Sequence, residues 1–205
     1  MLAIIDYGAG NLRSVQKACE LIGADAQITS DTEKILSADH VILPGVGAFG
    51  DCMSSIRGRG IDKCIYKVVE KGTPFLGICL GLQLLFEGSK ESPKVSGLGI
   101  FDGEIVKIPE SSDLKIPHMG WNSLSFPKAS PLFNGIDENS FVYFVHSYYM
   151  QPTDKSIISA TCEYSATLPV ALSQGNIHAT QFHPEKSGDV GLKILKNFIE
   201  MGCEK

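Results

Sequence analysis

The sequence predicts an α/β fold: a mostly parallel, mixed central sheet flanked by helices and finished by an antiparallel edge. Three observations carry the prediction. Short apolar runs of the buried-strand kind alternate with helical patterns through the first half of the chain. That rhythm then breaks into short extended pieces separated by glycine and proline. An amphipathic stretch with helical spacing closes the chain. At 205 residues a single domain over 1–205 is expected, large enough to bury a full core without disulfides or metals.

Leu2 to Asp6 reads as a buried strand, and Leu12, Val15, Cys19 and Ile22 mark one face of the following helix, which Gly23 ends. Ala26 to Thr29 is a second strand, and Ser30 to Leu36 a capped turn or short helix. His40 to Leu43 is a third strand, expected to stop at Pro44 because proline has no N–H for a ladder. Two helical patterns separated by Gly58 and Gly60 follow, and then a strand over Pro74 to Ile78 that runs into a helix ending near Gly88. Residues 97–122, broken by Gly97, Gly99, Gly103, Pro109 and Pro117, read as antiparallel hairpins on the sheet edge. Phe141 to Val145, Ile157 to Thr161 and Ile177 to Phe182 are further strands. Val190, Ile194, Leu195, Phe198 and Ile199 form the stripe of the closing helix. No repeat or linker interrupts the chain.

Composition excludes several function classes. A net charge of −5 with 18 Lys and Arg offers no basic field for a nucleic-acid backbone. Cysteines at 19, 52, 64, 79, 162 and 203 form no C-x-x-C pair, so neither a zinc site nor a disulfide framework is suggested, and reduced thiols point to the cytoplasm. The first residues carry no basic leader and no span-length apolar run, so a soluble protein without membrane attachment is expected. Gly8-x-Gly10 follows a strand but lacks the third glycine of a dinucleotide loop, and the other histidines, His40, His118, His146 and His178, have no ligand spacing. No cofactor or metal is expected.

The chemistry concentrates in Gly77-Ile78-Cys79-Leu80-Gly81, the small-x-nucleophile-x-small plan of a sharp strand-to-helix elbow. Such a turn lifts the Cys79 sulfur off the sheet edge and sets it at a helix start, where unpaired N–H groups favour thiolate. Gln83, about one helical turn on, shares its face. A cysteine nucleophile needs a base, and a base needs an acceptor to orient it. His183 and Glu185 in Gln181-Phe182-His183-Pro184-Glu185-Lys186 fit, projecting to one side if the backbone is extended, although alone they read as well as a surface pair. Gly45, Val46 and Gly47 end the third strand, and their N–H groups, with that of Leu80, suit an oxyanion site if the loop lies beside Cys79.

Together these residues resemble the class I, triad-type glutamine amidotransferases, which carry a Gly-x-Cys-x-Gly-x-Gln elbow and a distant His-Pro-Glu. Stretches 6–15, 44–49 and 118–122 are similar to one branch, the glutaminase subunits of imidazole glycerol phosphate synthases. The resemblance implies a flavodoxin-like fold, with Cys79 as nucleophile, His183 as general acid and base, and Glu185 as its orienter. It implies side-chain contacts to L-glutamine from Gln83 and Glu91 and backbone contacts from Gly45, Ser147 and Tyr148. It also implies a (β/α)8-barrel cyclase subunit as heterodimer partner, met by Trp121, Tyr143 and Lys186. A cysteine peptidase or γ-glutamyl hydrolase could use the same elbow. The glutaminases of anthranilate, guanylate and pyridoxal phosphate synthesis are the nearest rivals within the family, and the Asn11 and Trp121 motifs argue against them.

Overall fold

The computed structural model describes residues 1–202; Cys203 lies outside them. The chain runs β1 (Leu2–Ile5), α1 (Leu12–Leu21), β2 (Ala26–Thr29), α2 (Thr32–Ser37), β3 (His40–Gly45), α3 (Phe49–Gly58), α4 (Ile61–Glu70), β4 (Phe75–Cys79) and α5 (Leu80–Gln83). The second half runs β5 (Phe86–Ser89), β6 (Phe101–Lys107), β7 (His118–Ser123), β8 (Phe141–His146), β9 (Tyr148–Pro152), β10 (Ile158–Glu163), β11 (Thr167–Gln174), β12 (Ile177–Thr180) and α6 (Gly188–Glu200).

Seven strands form the central sheet in the order β10-β11-β12-β4-β3-β1-β2. The five from β12 to β2 are parallel, while β10 and β11 pair antiparallel. Alternate residues of β1, β3 and β4 enter opposite cores, which is why these strands read as unbroken apolar runs. Ala3, Ile5, Val41, Leu43 and Phe75 pack under α2, α3 and α4. Leu2, Ile4, Ile42, Leu76 and Ile78 pack under α1 and α6. Covering both faces leaves the carboxyl ends of β3, β4 and β12 as the open rim, the usual place for a site in a parallel sheet.

Three expectations need correction. β3 continues through Pro44 to Gly45; its pairing with β1 has ended at Ile42, so the missing Pro44 N–H is not demanded on that side. The elbow helix stops at Gln83 instead of reaching Gly88, because the Leu84 and Leu85 carbonyls accept from Leu98 and from Ile100 and Phe101, and Phe86–Ser89 is captured as a strand beside β6. An apolar run such as Leu82 to Phe86 fits a buried strand as well as a helix. Residues 97–122 do not form the sheet edge. They enter a three-stranded sheet β5-β6-β9 and a two-stranded ribbon β7-β8, and the antiparallel edge is built by β10 and β11. Strand β11 has no counterpart among the expected strands; its Pro169 lies beyond the register shared with β12.

Candidate active site

Cys79 ends β4 with φ 54 and ψ −109, a backbone that side-chain-bearing residues rarely adopt and that costs about 1–3 kcal/mol. The elbow is held there by close packing. A Cβ on Gly81 would enter the Leu43 carbonyl oxygen, and one on Gly77 would come within 2.9 Å of the Gly81 carbonyl. Two glycines thus let α5 lie directly on β3 and β4. Because α5 is a single turn, little of a macrodipole stands behind the sulfur, and nearby side chains carry more of its environment than the sequence suggested.

Cys79 lies at a cleft of about 360 Å³, and the residue is 7% exposed. Gln181, at the exit of β12, donates from Nε2 to Cys79 Sγ at 3.6 Å. Gln83 Nε2 donates in turn to Gln181 Oε1 at 3.0 Å and to the Tyr148 carbonyl at 3.1 Å. Both N–H groups of Gln83 are therefore engaged, which leaves its Oε1 as the acceptor for a ligand. The sequence motif assigns Gln181 no role; its position two residues before His183, just past an expected strand, is the available signal.

His183 and Glu185 meet through Nδ1 and Oε1 at 2.8 Å, with side chains 2% and 1% exposed. The expectation of extended backbone between them is corrected: Pro184–Lys186 is a 3-10 turn that brings Glu185 back to the ring. His183 N–H donates to the Tyr143 carbonyl, and Ser187 Oγ ties the His183 carbonyl to the Tyr143 N–H. Ser187 was not anticipated. His183 Nε2 has no hydrogen-bond partner among the described residues, and the ring lies within electrostatic reach of Cys79.

Burial is the largest influence on His183 and works against its charge, but Cys79 and Glu185 outweigh it and raise the imidazole from 6.5 to about 9. A folded value above the unfolded one stabilises fully below pH 6.5, and the contribution is lost as pH rises through about 9. The melting temperature of the wild type minus that of His183→Gln is therefore expected to fall across this window. The change should be several degrees, since each kcal/mol moves a domain of this size by about 2–4 °C. A difference that stays flat in thermal melts over the same range would show that the ring is not held charged.

The remaining expected residues reach the site in different ways. Val46, Gly47 and Leu80 line the cleft, whereas Gly45 lies beneath it, paired in register with Cys79. Glu91 lines the cleft and also caps α3, its Oε2 accepting from the Phe49 N–H at 2.8 Å. Ser147 and Tyr148 line the opposite wall with their carbonyls already engaged, by the Ile108 N–H and by Gln83 and His146. His146 and His118 form a buried pair at 3.0 Å. Burial pushes them down to about 3 and about 4, so both are neutral. His146 Nδ1–H donates to Tyr148 at 2.9 Å, which leaves His146 Nε2 to accept from His118.

Trp121, Tyr143 and Lys186 come together outside the cleft. Trp121 opposes Tyr143 across β7-β8 with ring centroids 6.1 Å apart, and Lys186 Nζ lies 5.9 Å from the Tyr143 centroid. Trp121 is 55% exposed on the same ribbon face as Met119 and Phe141, which are also exposed. The turn that carries Glu185 thus ends at Lys186, beside the exposed aromatic pair of this ribbon. Among the described residues, no group of His, Cys, Asp or Glu is arranged to hold a metal ion.

Comparison with known proteins adds to this geometry. The family model for glutamine amidotransferase class-I matches residues 3–201. The imidazole glycerol phosphate synthase subunit HisH 1 of Methanococcus maripaludis is 51% identical over 205 residues, covering 98% of this chain and all of the relative. The subunit HisH of Syntrophotalea carbinolica is 50% identical over 206 residues with the same coverage. Among solved structures, PurLQS from Thermotoga maritima superposes with a TM-score of 0.77 at 20% identity, covering 97% of each chain, a likeness of fold alone.

Proposed function

The chain belongs to the class I glutamine amidotransferases, and we infer that it is the glutaminase subunit of an imidazole glycerol phosphate synthase. It hydrolyses L-glutamine to L-glutamate and ammonia, and the ammonia passes to a cyclase subunit. That subunit makes imidazole glycerol phosphate and an aminoimidazole carboxamide ribonucleotide in histidine biosynthesis. The observation that carries the reading is identity at half of all positions over the full length of subunits bearing that name. The whole chain acts as one amidotransferase domain. No helix among the described residues is long and apolar enough to cross a membrane, and five buried free thiols suit the cytoplasm.

The reaction follows from the side chains at the cleft. Glutamine is held with Gln83 Oε1 and the Glu91 carboxylate toward its ammonium group and the Ser147–Tyr148 wall alongside. The Cys79 thiolate attacks the carboxamide carbon, and the carbonyl electrons move onto oxygen. Backbone N–H groups of the Val46–Gly47 loop and of Leu80 bind that oxyanion. Charged His183 gives its Nε2 proton to the departing nitrogen, the C–N bond breaks and ammonia leaves a γ-glutamyl thioester. His183, now neutral, takes a proton from water as it attacks. Collapse of the second tetrahedral species returns the thiolate and releases glutamate. Glu185 never exchanges the proton; it fixes the tautomer and stabilises the imidazolium.

The partner is a (β/α)8-barrel subunit seated on the β7-β8 face as a heterodimer, with Trp121 and Tyr143 as aromatic anchors. Lys186 adjoins Glu185, so a partner carboxylate that pairs with it pulls on the backbone of the triad. Purified chain mixed with a barrel cyclase subunit is expected to release glutamate, and to do so faster when the nucleotide substrate is added. Turnover of larger γ-glutamyl compounds without the partner would overturn the reading. Lys186→Ala and Trp121→Ala should lower the ligand stimulation roughly tenfold at saturating partner, a charge or anchor loss of about 1.4 kcal/mol. Stimulation equal to wild type in both would remove these residues from the signal.

A further inference from the structure

Gln181 touches the nucleophile, yet no step above uses it. β12 and β4 are parallel with Thr180 opposite Ile78, so Gln181 and Cys79 leave the sheet side by side. Gln181 is fully buried, and its backbone N–H donates to the Val170 carbonyl of β11 at 2.8 Å. The direction of its amide follows from a backbone atom. The Tyr148 carbonyl can only accept, so the Gln83 atom 3.1 Å from it belongs to the NH2 group. That same group reaches Gln181 at 3.0 Å, where only an acceptor can answer it, which assigns Oε1 to this end. The NH2 group of Gln181 is then the end that meets Cys79 Sγ at 3.6 Å. A flipped amide would set two NH2 groups against each other and an oxygen against the sulfur.

Sulfur carries negative charge twice during hydrolysis. It does so before attack, and again when the C–S bond of the second tetrahedral species breaks and its electron pair returns to sulfur. His183 does not serve the sulfur alone, because its Nε2 proton goes to the departing nitrogen. The single turn of α5 adds little. An N–H that never transfers its proton favours the thiolate at both moments, as a hydrogen bond to the charged form does. It loses most of its hold once the sulfur is bonded to carbon, since such a sulfur is a weak acceptor.

We propose that Gln181 is a further catalytic residue for glutamine hydrolysis, its Nε2–H stabilising the negative charge on the Cys79 sulfur while Gln83 holds the amide in that direction. The proposal rests on the glutaminase reading. It gives Gln83 two tasks, since the side chain that meets glutamine through Oε1 also aims the donor at the nucleophile.

The test uses the full chain with its barrel partner and the variant Gln181→Met, which keeps the length of the side chain and removes the donor. Two rates are read: glutamine turnover, resolved into kcat and KM, and exchange of Cys79 with hydroxyethyl disulfide, a small neutral probe, followed by mass across a pH series. Losing the donor leaves less thiolate at a given pH but makes each thiolate more reactive, with nucleophilicity rising as about the 0.4–0.5 power of basicity. A tenfold loss, the scale of one hydrogen bond to a charged group, should therefore slow exchange about threefold on the acid limb and quicken it about threefold on the alkaline plateau. The two profiles should cross. Around the sulfur, burial keeps Tyr7 protonated and His146 neutral, Glu91 and Tyr148 lie across the cleft, and His183 with Glu185 is common to both proteins, so the crossing isolates the missing donor.

Turnover should lose about tenfold in kcat with no rise in KM. A residue that only seats Gln83 would raise KM and leave the exchange profile where it was, and that result would overturn the proposal, as would a wild-type kcat. If Gln181→Met does not fold, the wild type decides: the side-chain amide NMR signals of Gln181 should shift when the probe caps Cys79, while those of Gln27 on β2 stay. Gln181 signals that do not respond would overturn the proposal. Wild type that releases no glutamate with its partner would instead overturn the glutaminase reading, and this proposal with it.

Discussion

Replacing Cys79 with alanine is expected to end glutamine hydrolysis, with kcat falling by about 10⁴-fold or more, as happens when a covalent nucleophile is removed from a group that acts as a unit. The strained backbone at φ 54 is imposed by packing around the elbow, so it persists in the variant. The fold loses only a sulfur and the acceptor that Gln181 Nε2 uses at 3.6 Å. An unpaired buried amide costs about 1–3 kcal/mol, and water admitted by the smaller side chain offsets part of it. The melting temperature should therefore drop by a few degrees at most while the thioester disappears. With the cyclase present, the variant complex should still form product from an ammonium salt at raised pH, where free ammonia replaces the glutaminase. Glutamine-dependent synthesis near the wild-type rate would show that Cys79 is not the nucleophile.

The candidate site was legible because its parts sit at strand ends whose spacing the chain states outright. Cys79 framed by Gly77 and Gly81, and His183 followed by Glu185, are fixed by local rules, and the parallel strands that bring them together have unbroken apolar sequences. What stayed hidden depends on contacts distant in sequence. Nothing near Leu84 says that its carbonyl will be claimed by Leu98, so the elbow helix looked longer than its single turn. Pro44 reads as a strand stop, yet it lies past the pairing of β3 with β1, where a missing N–H does no harm. Gln181 carries only its place two residues before His183 as a local signal, and Ser187 only its polarity. One contacts the sulfur and the other locks the histidine backbone only because β12 lies beside β4 and the Pro184–Lys186 turn beside β8. Glu91 gains a second role for the same reason, since its partner Phe49 is 42 positions away.

Gly81→Ala is expected to be among the most damaging single-methyl changes in the chain, lowering stability by about 3 kcal/mol or more, at the upper end for overpacking. The argument is steric, because no left-handed backbone is at issue at this residue. The added carbon falls inside the Leu43 carbonyl oxygen, a backbone atom of the central strand β3 that cannot rotate aside as a side chain can. Relief requires α5 to lift from β3. That movement separates Cys79 from Gly45, its partner in register, and carries the sulfur away from the Val46–Gly47 loop. A displacement of about 1 Å between reacting groups costs on the order of 10²-fold in rate, so folded Gly81→Ala should retain about 1% of kcat or less. Gly77→Ala, whose added carbon would sit 2.9 Å from the Gly81 carbonyl, should be milder but still impaired. Gly58→Ala supplies the control: nothing lies within 4 Å of its new carbon at the end of α3, and the loss of unfolded-chain freedom should leave the protein as stable or about 0.4–1 kcal/mol more stable. Thermal melts and glutamine turnover on the three variants should rank Gly58→Ala, Gly77→Ala and Gly81→Ala from least to most impaired. A Gly81→Ala protein with wild-type melting temperature and kcat would mean that the close approach of α5 to β3 is not what sets the geometry of the elbow.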